Sequence, residues 1–500
     1  MALAIGALVA GLALLLRTPW HSWGDDFAGY LLQAHAMAEG KMGAEALLNG
    51  SLVAASDSFP APAAYPWGFP TLLWIGSRIG GSGLMPLKAI GGLSLGIAAA
   101  FTFALGRSFL SRSASVLAAA LVGLQPELLR SADLLLSDLP FLAVAAGALY
   151  CMDRTYRTVV SGGRRGLSLV AAVLAIAAFT IRASGITVAA TFVLMYGYLW
   201  VITPGRRGPI IRSGALYASV VVVLGALYAA WSPADPSRTY ATLVTVSPRS
   251  VLHMAEATGL LVSSFVPFRF LSSGSTGLMA LGVAATAGLV VLGAWARRPF
   301  AVGIALFGLL NAGLLIVFPF VQGSRLLYPL LIPGVILALC GVQSAWASPR
   351  NPLGRTVVAK GRVEGAVPWF VGGVVAVLAM EGYGIGLAPR AYQSDGPYSA
   401  ESEELTRFIV EKVPRDARIA FFRPRALRLL TGRPALAIMS PDPGGRATYF
   451  VLNKRVTPDN RGLLAKYQLG AEYFEEHQSE FEVSFENEQF VLYRRLTLPP

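Results

Sequence analysis

Charge is what this chain has least of. Only 14% of its 500 residues are Asp, Glu, Lys or Arg, about half the usual share of a globular protein, which argues against a soluble fold. Cysteine is nearly missing as well. Cys151 and Cys340 are the two in the chain, both in or beside apolar segments, so neither a disulfide framework nor a zinc cluster is available. The C-terminal hundred residues contain no nucleophile motif and no glycine-rich phosphate loop.

Long apolar runs are what the chain has instead. More than half of its residues are hydrophobic, and stretches of roughly 20, long enough to cross a hydrocarbon core of ~30 Å, recur until about residue 389 and then stop. Spans are expected near 2–18, 85–106, 114–126, 136–152, 167–182, 184–202, 213–231, 276–296, 299–320, 326–347 and 368–389. The first lacks a basic segment before it and reads as a retained helix, not a cleaved signal. The fold class is therefore an α-helical polytopic membrane protein of about eleven transmembrane helices, spanning 1–389. A small C-terminal soluble α/β domain, 390–500, follows.

The net charge of +13 would suggest nucleic acid in a soluble protein, but residues 390–500 are nearly balanced, with 16 basic and 15 acidic side chains. The excess sits in the membrane part, where it follows topology. Arg107, Arg112, Arg154, Arg157, Arg164, Arg165, Arg206, Arg207, Arg212, Arg297, Arg298, Arg350, Arg355, Lys360 and Arg362 fall in alternate short loops beside only Asp153 and Glu364. Basic short loops face the cytoplasm, which puts the N-terminus on the cytoplasmic side of the cytoplasmic membrane and the C-terminal domain outside. No nucleic-acid partner is expected.

Two outer loops, 19–84 and 232–275, are too long for connectors and read as functional. The first holds an amphipathic stretch, Phe27 to Ala38, and a Pro- and Gly-punctuated segment ending in AYPWGFPTLLW. Trp20, Trp23, Trp67 and Trp74 fit an interfacial belt. In the tail, Ser399 reads as a helix cap, Arg418–Phe422 and Thr448–Leu452 as strands, PRALRLLTG and NRGLLAKYQLG as helices, and FEVSFENEQFVLYRR as a hairpin turning at Asn487 and Glu488. The basic residues of the tail read as a solvated face.

Ionisable residues in or beside spans are costly and count as site candidates. Asp25 and Asp26 follow the first span, Lys88 opens the second, Asp138 the fourth, Arg182 closes the fifth and Arg325 opens the tenth. All fall on the outer side. Carboxylates among cations at that boundary suit chemistry on an anionic lipid head group: a carboxylate takes a proton, and cations stabilise a leaving phosphate. Snorkelling for the cations and helix capping for Asp138, with Pro140 just inside, are the plainer readings.

GDDFAGYLLQAHAMAEG (24–40) behind a first span resembles the first outer loop of the GT-C superfamily of membrane glycosyltransferases, closest to bacterial family 39-like enzymes. Asp26 and Tyr30 reproduce that family's spacing of aspartate and aromatic. Its second acid is Phe27 here, which leaves open whether Asp25 or Asp26 is catalytic. YPWGFPTLLW (65–74), LLLSDLPF (134–141), FTIRASGI (179–186) and GSRLLYPLLIP (323–333) are similar to further family segments in the expected order. The resemblance implies inverting transfer of a sugar from a polyprenyl-phosphate donor to a lipid, glycan or protein acceptor. It implies an aspartate base, Asp26 or Asp25, with Asp138 as a further catalytic residue that assists or positions a group, donor-phosphate binding by Arg325, Lys88 and Arg182, and positioning by Tyr30, Tyr65 and Tyr328. Aminoarabinose transferases of the family carry a Glu-Lys pair where this chain has Ala64 and Tyr65, which disfavours that specificity. No cofactor is called for, and a divalent metal is compatible with the pattern but not indicated by any residue. A lipid-linked glycan polymerase or ligase, and more remotely a flippase, are the alternatives. The tail is expected to cover the site opening and narrow the choice of acceptor.

Overall fold

The computed structural model describes residues 1–57, 61–161, 166–232, 276–317, 323–346, 395–439, 445–456, 464, 466 and 468–496. The second long loop, the eleventh span, and most of the expected helix at 460–470 lie outside these residues.

Ten of the expected spans fall on helices. They are α1 (Ala2–Leu15), α5 (Leu84–Gly106), α6 (Arg112–Gly123), α8 (Asp138–Ser161), α9 (Gly166–Ile181), α10 (Ile186–Ile202), α11 (Arg207–Trp231), α12 (Thr276–Ala296), α13 (Ala301–Val317) and α14 (Tyr328–Trp346). Four segments, 84–106, 183–202, 204–231 and 325–345, are long and apolar enough to cross a membrane alone. Helices α1, α6, α9 and α13 are shorter. Between α1 and α5 lie three loop helices, α2 (Asp25–Ala38), α3 (Met42–Ala55) and α4 (Gly68–Gly80), and the short α7 (Pro126–Ala132) precedes α8.

Small residues bring the membrane helices together, as hydrocarbon offers no hydrophobic drive for their association. A Cβ on Gly96 of α5 would stand 2.4 Å from the Gly6 carbonyl oxygen of α1. At Gly341 of α14 it would stand 2.1 Å from the Leu289 oxygen of α12. Gly185 lets α9 reverse directly into α10, since a Cβ there would be 2.3 Å from Ala178.

The two ends of the bundle differ. At one end Arg157 lies over the Phe109 and Phe300 rings and chelates Asp153. Nearby, Arg297 reaches Gln343, which reaches Ser111. The other end carries the loop helices and most of the candidate acids.

The C-terminal part is a five-stranded sheet in the order β2-β1-β3-β5-β4, parallel through β2 (Ala435–Leu436), β1 (Ile419–Ala420) and β3 (Tyr449–Asn453), antiparallel through β5 (Phe490–Arg495) and β4 (Phe481–Glu486). Ser399 caps α15 (Ala400–Lys412), its Oγ accepting from the Ser402 N–H. Gly432, left-handed at φ 69°, ends α16 (Pro424–Thr431), a conformation that favours glycine. Asn487 makes the hairpin turn by accepting from the Gln489 and Phe490 N–H groups.

This sheet grips the first loop. Trp23 is buried edge-on among Phe421, Phe422 and Phe490, with centroids 5.3 to 6.2 Å away. Trp67 is buried too, 6.4 Å from Trp231. These two tryptophans thus seal protein contacts and do not form an interfacial belt. Hydrogen bonds of Asp57 continue the grip, from its N–H to the Ala437 carbonyl at 2.8 Å and from the Met439 N–H to its carboxylate at 2.9 Å. The expected solvated basic face is corrected as well. Arg425 and Arg428 are buried, because α16 turns them onto acids and carbonyls of the loop.

Candidate active site

Local structure places the charges before tertiary packing pairs them. Asp25 and Asp26 occupy the first turn of α2, and Asp138 begins α8. Unpaired N–H groups and the helix dipole favour carboxylates there. Arg182 follows the last residue of α9, the end that favours a cation. Arg325 sits in a short 3-10 turn, Gly323–Leu327, at the head of α14.

Packing then gathers four of them. Asp138 binds an arginine on each oxygen: Arg182 Nη1 reaches Oδ1 at 2.8 Å, and Arg325 reaches Oδ2 through Nη2 at 2.8 Å and Nε at 3.3 Å. Arg325 Nη2 also reaches Asp26 Oδ2 at 3.3 Å. The side chain of Asp138 is only 3% exposed, whereas that of Asp26 is 28% exposed. Asp138 therefore orders the two arginines from behind, and Asp26 is the acid that meets solvent.

Three tyrosines were candidates. Tyr65 donates to Asp26 Oδ1 at 2.7 Å. The Tyr30 hydroxyl pairs with Ser137 Oγ at 2.9 Å, and its ring lies 4.6 Å from that of Tyr65. Tyr328 instead shares a hydrogen bond of 2.8 Å with Ser131 and donates to the Glu127 carbonyl.

The adjacent aspartates diverge. Asp25 points away from the cluster, accepting from the Arg425 N–H at 2.9 Å and facing Arg423 at 3.6 Å. Burial pushes its carboxyl above the usual range, although Arg423 and Arg425 oppose that. At Asp26 burial also works upward, yet Arg325, the Tyr65 hydroxyl and Arg182 outweigh it and leave the carboxyl below its usual range. Asp26 is consequently ionised at neutral pH.

Lys88 belongs elsewhere. Its ammonium is fully buried and donates to Asp133 at 3.0 Å, to the Thr18 carbonyl at 2.7 Å and to the Trp20 carbonyl. Asp133 in turn accepts from the Thr18 N–H and hydroxyl. The expectation that Lys88 holds a donor phosphate is corrected: with protein acceptors around a fully buried ammonium, it fastens the exit of α1 to α5.

Sequence reasoning missed His21 and Arg425. His21 stacks on Phe27, accepts from the Leu135 N–H and donates to the Ser22 carbonyl, and burial lowers its pKa to about 3, so it remains a neutral strut. For Arg425 a signal did exist. Arg425 and Arg428 are one turn apart on PRALRLLT, a helix without a single acid of its own to pair them.

Among the described residues no group of three or more His, Cys, Asp or Glu is placed to hold a metal. The two site carboxylates are bridged by the Arg325 guanidinium.

No family model and no curated protein matches the chain. Solved structures do. ArnT from Cupriavidus metallidurans bound to undecaprenyl phosphate superposes with a TM-score of 0.60 over 100% of this chain and 98% of that one, at 14% identity. Its apo form gives 0.58 over 98% and 97%, at 13% identity. The chain therefore shares its overall fold with that protein along nearly its whole length. The oligosaccharyltransferase of Archaeoglobus fulgidus, in complex with Zn and sulfate, is also similar in fold, at a TM-score of 0.52 and 14% identity. That match covers 91% of this chain and 68% of that one.

Proposed function

We propose that the chain is a glycosyltransferase that moves a sugar from a polyprenyl-phosphate donor to a cell-envelope lipid, glycan or protein acceptor on the outer face of the cytoplasmic membrane. The observation that carries this reading is the cluster of Asp26, Asp138, Arg182 and Arg325. Its two acids and two cations balance, and the acid that reaches solvent is Asp26. The fold, shared with a protein that binds undecaprenyl phosphate, supports a lipid-linked donor.

In this reading Asp26 accepts the acceptor hydroxyl proton as the acceptor oxygen attacks the anomeric carbon. The carbon–oxygen bond to phosphate breaks with inversion, and polyprenyl phosphate leaves. Arg325 and Arg182 stabilise the charge that develops on that phosphate, and Asp138 keeps both guanidinium planes in place. Preorganised cations of this kind act where charge develops. Residues 1–389 supply this machinery, 390–500 cover the opening, and no step is routed through a metal.

The test is transfer from radiolabelled polyprenyl-phosphate sugars in proteoliposomes. Loss of a general base costs about 10²–10⁴-fold, so Asp26→Asn should abolish most transfer while Asp25→Asn retains a measurable part of it. Equal activity of Asp26→Asn and wild type would remove the base assignment. Movement of a preassembled glycan as one block, with single sugars inert, would favour a polymerase or ligase.

A further inference from the structure

The C-terminal part reaches the reacting carboxylate through a single intermediary. Arg425, 3% exposed, donates from Nη1 to the Tyr65 hydroxyl at 2.6 Å. The same guanidinium is fixed on its other sides, Nε to Asn49 Oδ1 at 3.1 Å and Nη2 to the Pro62 carbonyl at 2.5 Å. Its backbone N–H is held by Asp25. A phenol carries one proton, and arginine only donates. With Arg425 donating to the phenol oxygen, the Tyr65 proton has to point elsewhere, and Asp26 Oδ1 lies 2.7 Å away.

We propose that Arg425 is a positioning residue for the transfer reaction: docking of α16 through Asp25 orients the Tyr65 hydroxyl onto Asp26, so that the C-terminal part completes the catalytic centre. This rests on the reading of Asp26 as the base. It differs from an acceptor-selecting cover, because it acts on the protonation of Asp26 whatever the acceptor. The charged and titratable groups facing Asp26 are Arg325, Asp138 and Arg182 from the membrane helices, Asp25, Tyr30 and Tyr65 from the loop, and Arg425 from the tail. Of these, the Tyr65 and Arg425 contributions are the ones lost on undocking. Both lower the Asp26 pKa, so their loss raises it.

The sign of the pH effect follows. A base works when deprotonated, and a higher Asp26 pKa moves the acid limb of the kcat/KM profile to higher pH. In full-length protein, Arg425→Met and Tyr65→Phe should each lower kcat by about tenfold, the scale of one charge-assisted hydrogen bond. Each should move the acid limb upward. Because they act through the same hydroxyl, the double variant should be no worse than Tyr65→Phe alone. Gly29→Ala provides a variant that alters no polar group. Its Cβ would stand 2.6 Å from Cε2 of Tyr65, displacing the ring and moving the acid limb the same way.

An infrared titration of the Asp26 carboxyl, assigned by its disappearance in Asp26→Asn, reads the coupling without any turnover. An upward shift in Arg425→Met and Tyr65→Phe alike supports the relay even if no polyprenyl-phosphate sugar is a substrate, in which case it is the transferase reading that fails. An unmoved titration in both variants, or additive losses of activity with an unmoved acid limb, would overturn the proposal and leave Arg425 a packing residue.

Discussion

Burial and partner separate side chains that share a formal charge. Asp25 and Asp26 are neighbours in one helical turn, yet one fastens the C-terminal helix and the other meets Arg325. Lys88 and Arg325 both open membrane helices, yet Lys88 is sealed against Asp133. Removing one partner of a buried pair leaves an uncompensated charge and costs about 3–5 kcal/mol. Lys88→Ala should therefore lower the melting temperature and yield of the purified protein strongly. Whatever folds should bind the polyprenyl-phosphate donor with unchanged affinity, which isothermal calorimetry on the folded fraction would check. A selective loss of donor affinity at unchanged stability would return Lys88 to the site.

Close helix crossings are the corresponding feature among the elements. Gly96 faces the backbone of α1, which cannot yield, while Gly11 on α1 has no neighbour within 4 Å of an added Cβ. Overpacking costs about 1–3 kcal/mol, so Gly96→Ala should destabilise the protein in detergent melts and Gly11→Ala should leave the melt unchanged. The helices themselves were legible because an apolar run is a local property. So were Asp138, Arg182 and Arg325, since a charge at a span boundary stands out against its neighbours. What was not legible is pairing over distance. Asp133 reads as a loop acid until the fold sets it against Lys88, 45 residues earlier. The arginines of PRALRLLT look solvated because the groups that take them up, Asn49, Pro62 and Tyr65 for Arg425 and Glu45 for Arg428, lie near the other end of the chain. Short strands such as Ile419–Ala420 likewise owe their length to their sheet partners.

For the whole molecule, the C-terminal sheet and the first loop share one core. The C-terminal part supplies the walls around Trp23 and, from α16 and its loops, the partners of Asp25, Glu45 and Asp57. Truncation after Ala388 should accordingly strip protease protection from residues 19–57 and reduce transfer to background, as limited proteolysis and the proteoliposome assay would show. A protected loop with retained transfer would contradict this. The hydrogen bond from Arg425 to Asp25 closes a loop of 400 residues, which has a consequence for biosynthesis. Chains grow at about 5–20 residues per second, so roughly 20–80 s separate the synthesis of these two partners. On the proposed relay, Asp26 lacks Tyr65's Arg425-set orientation throughout that interval, and a nascent chain still threading into the membrane would stay catalytically incomplete until its final domain arrives.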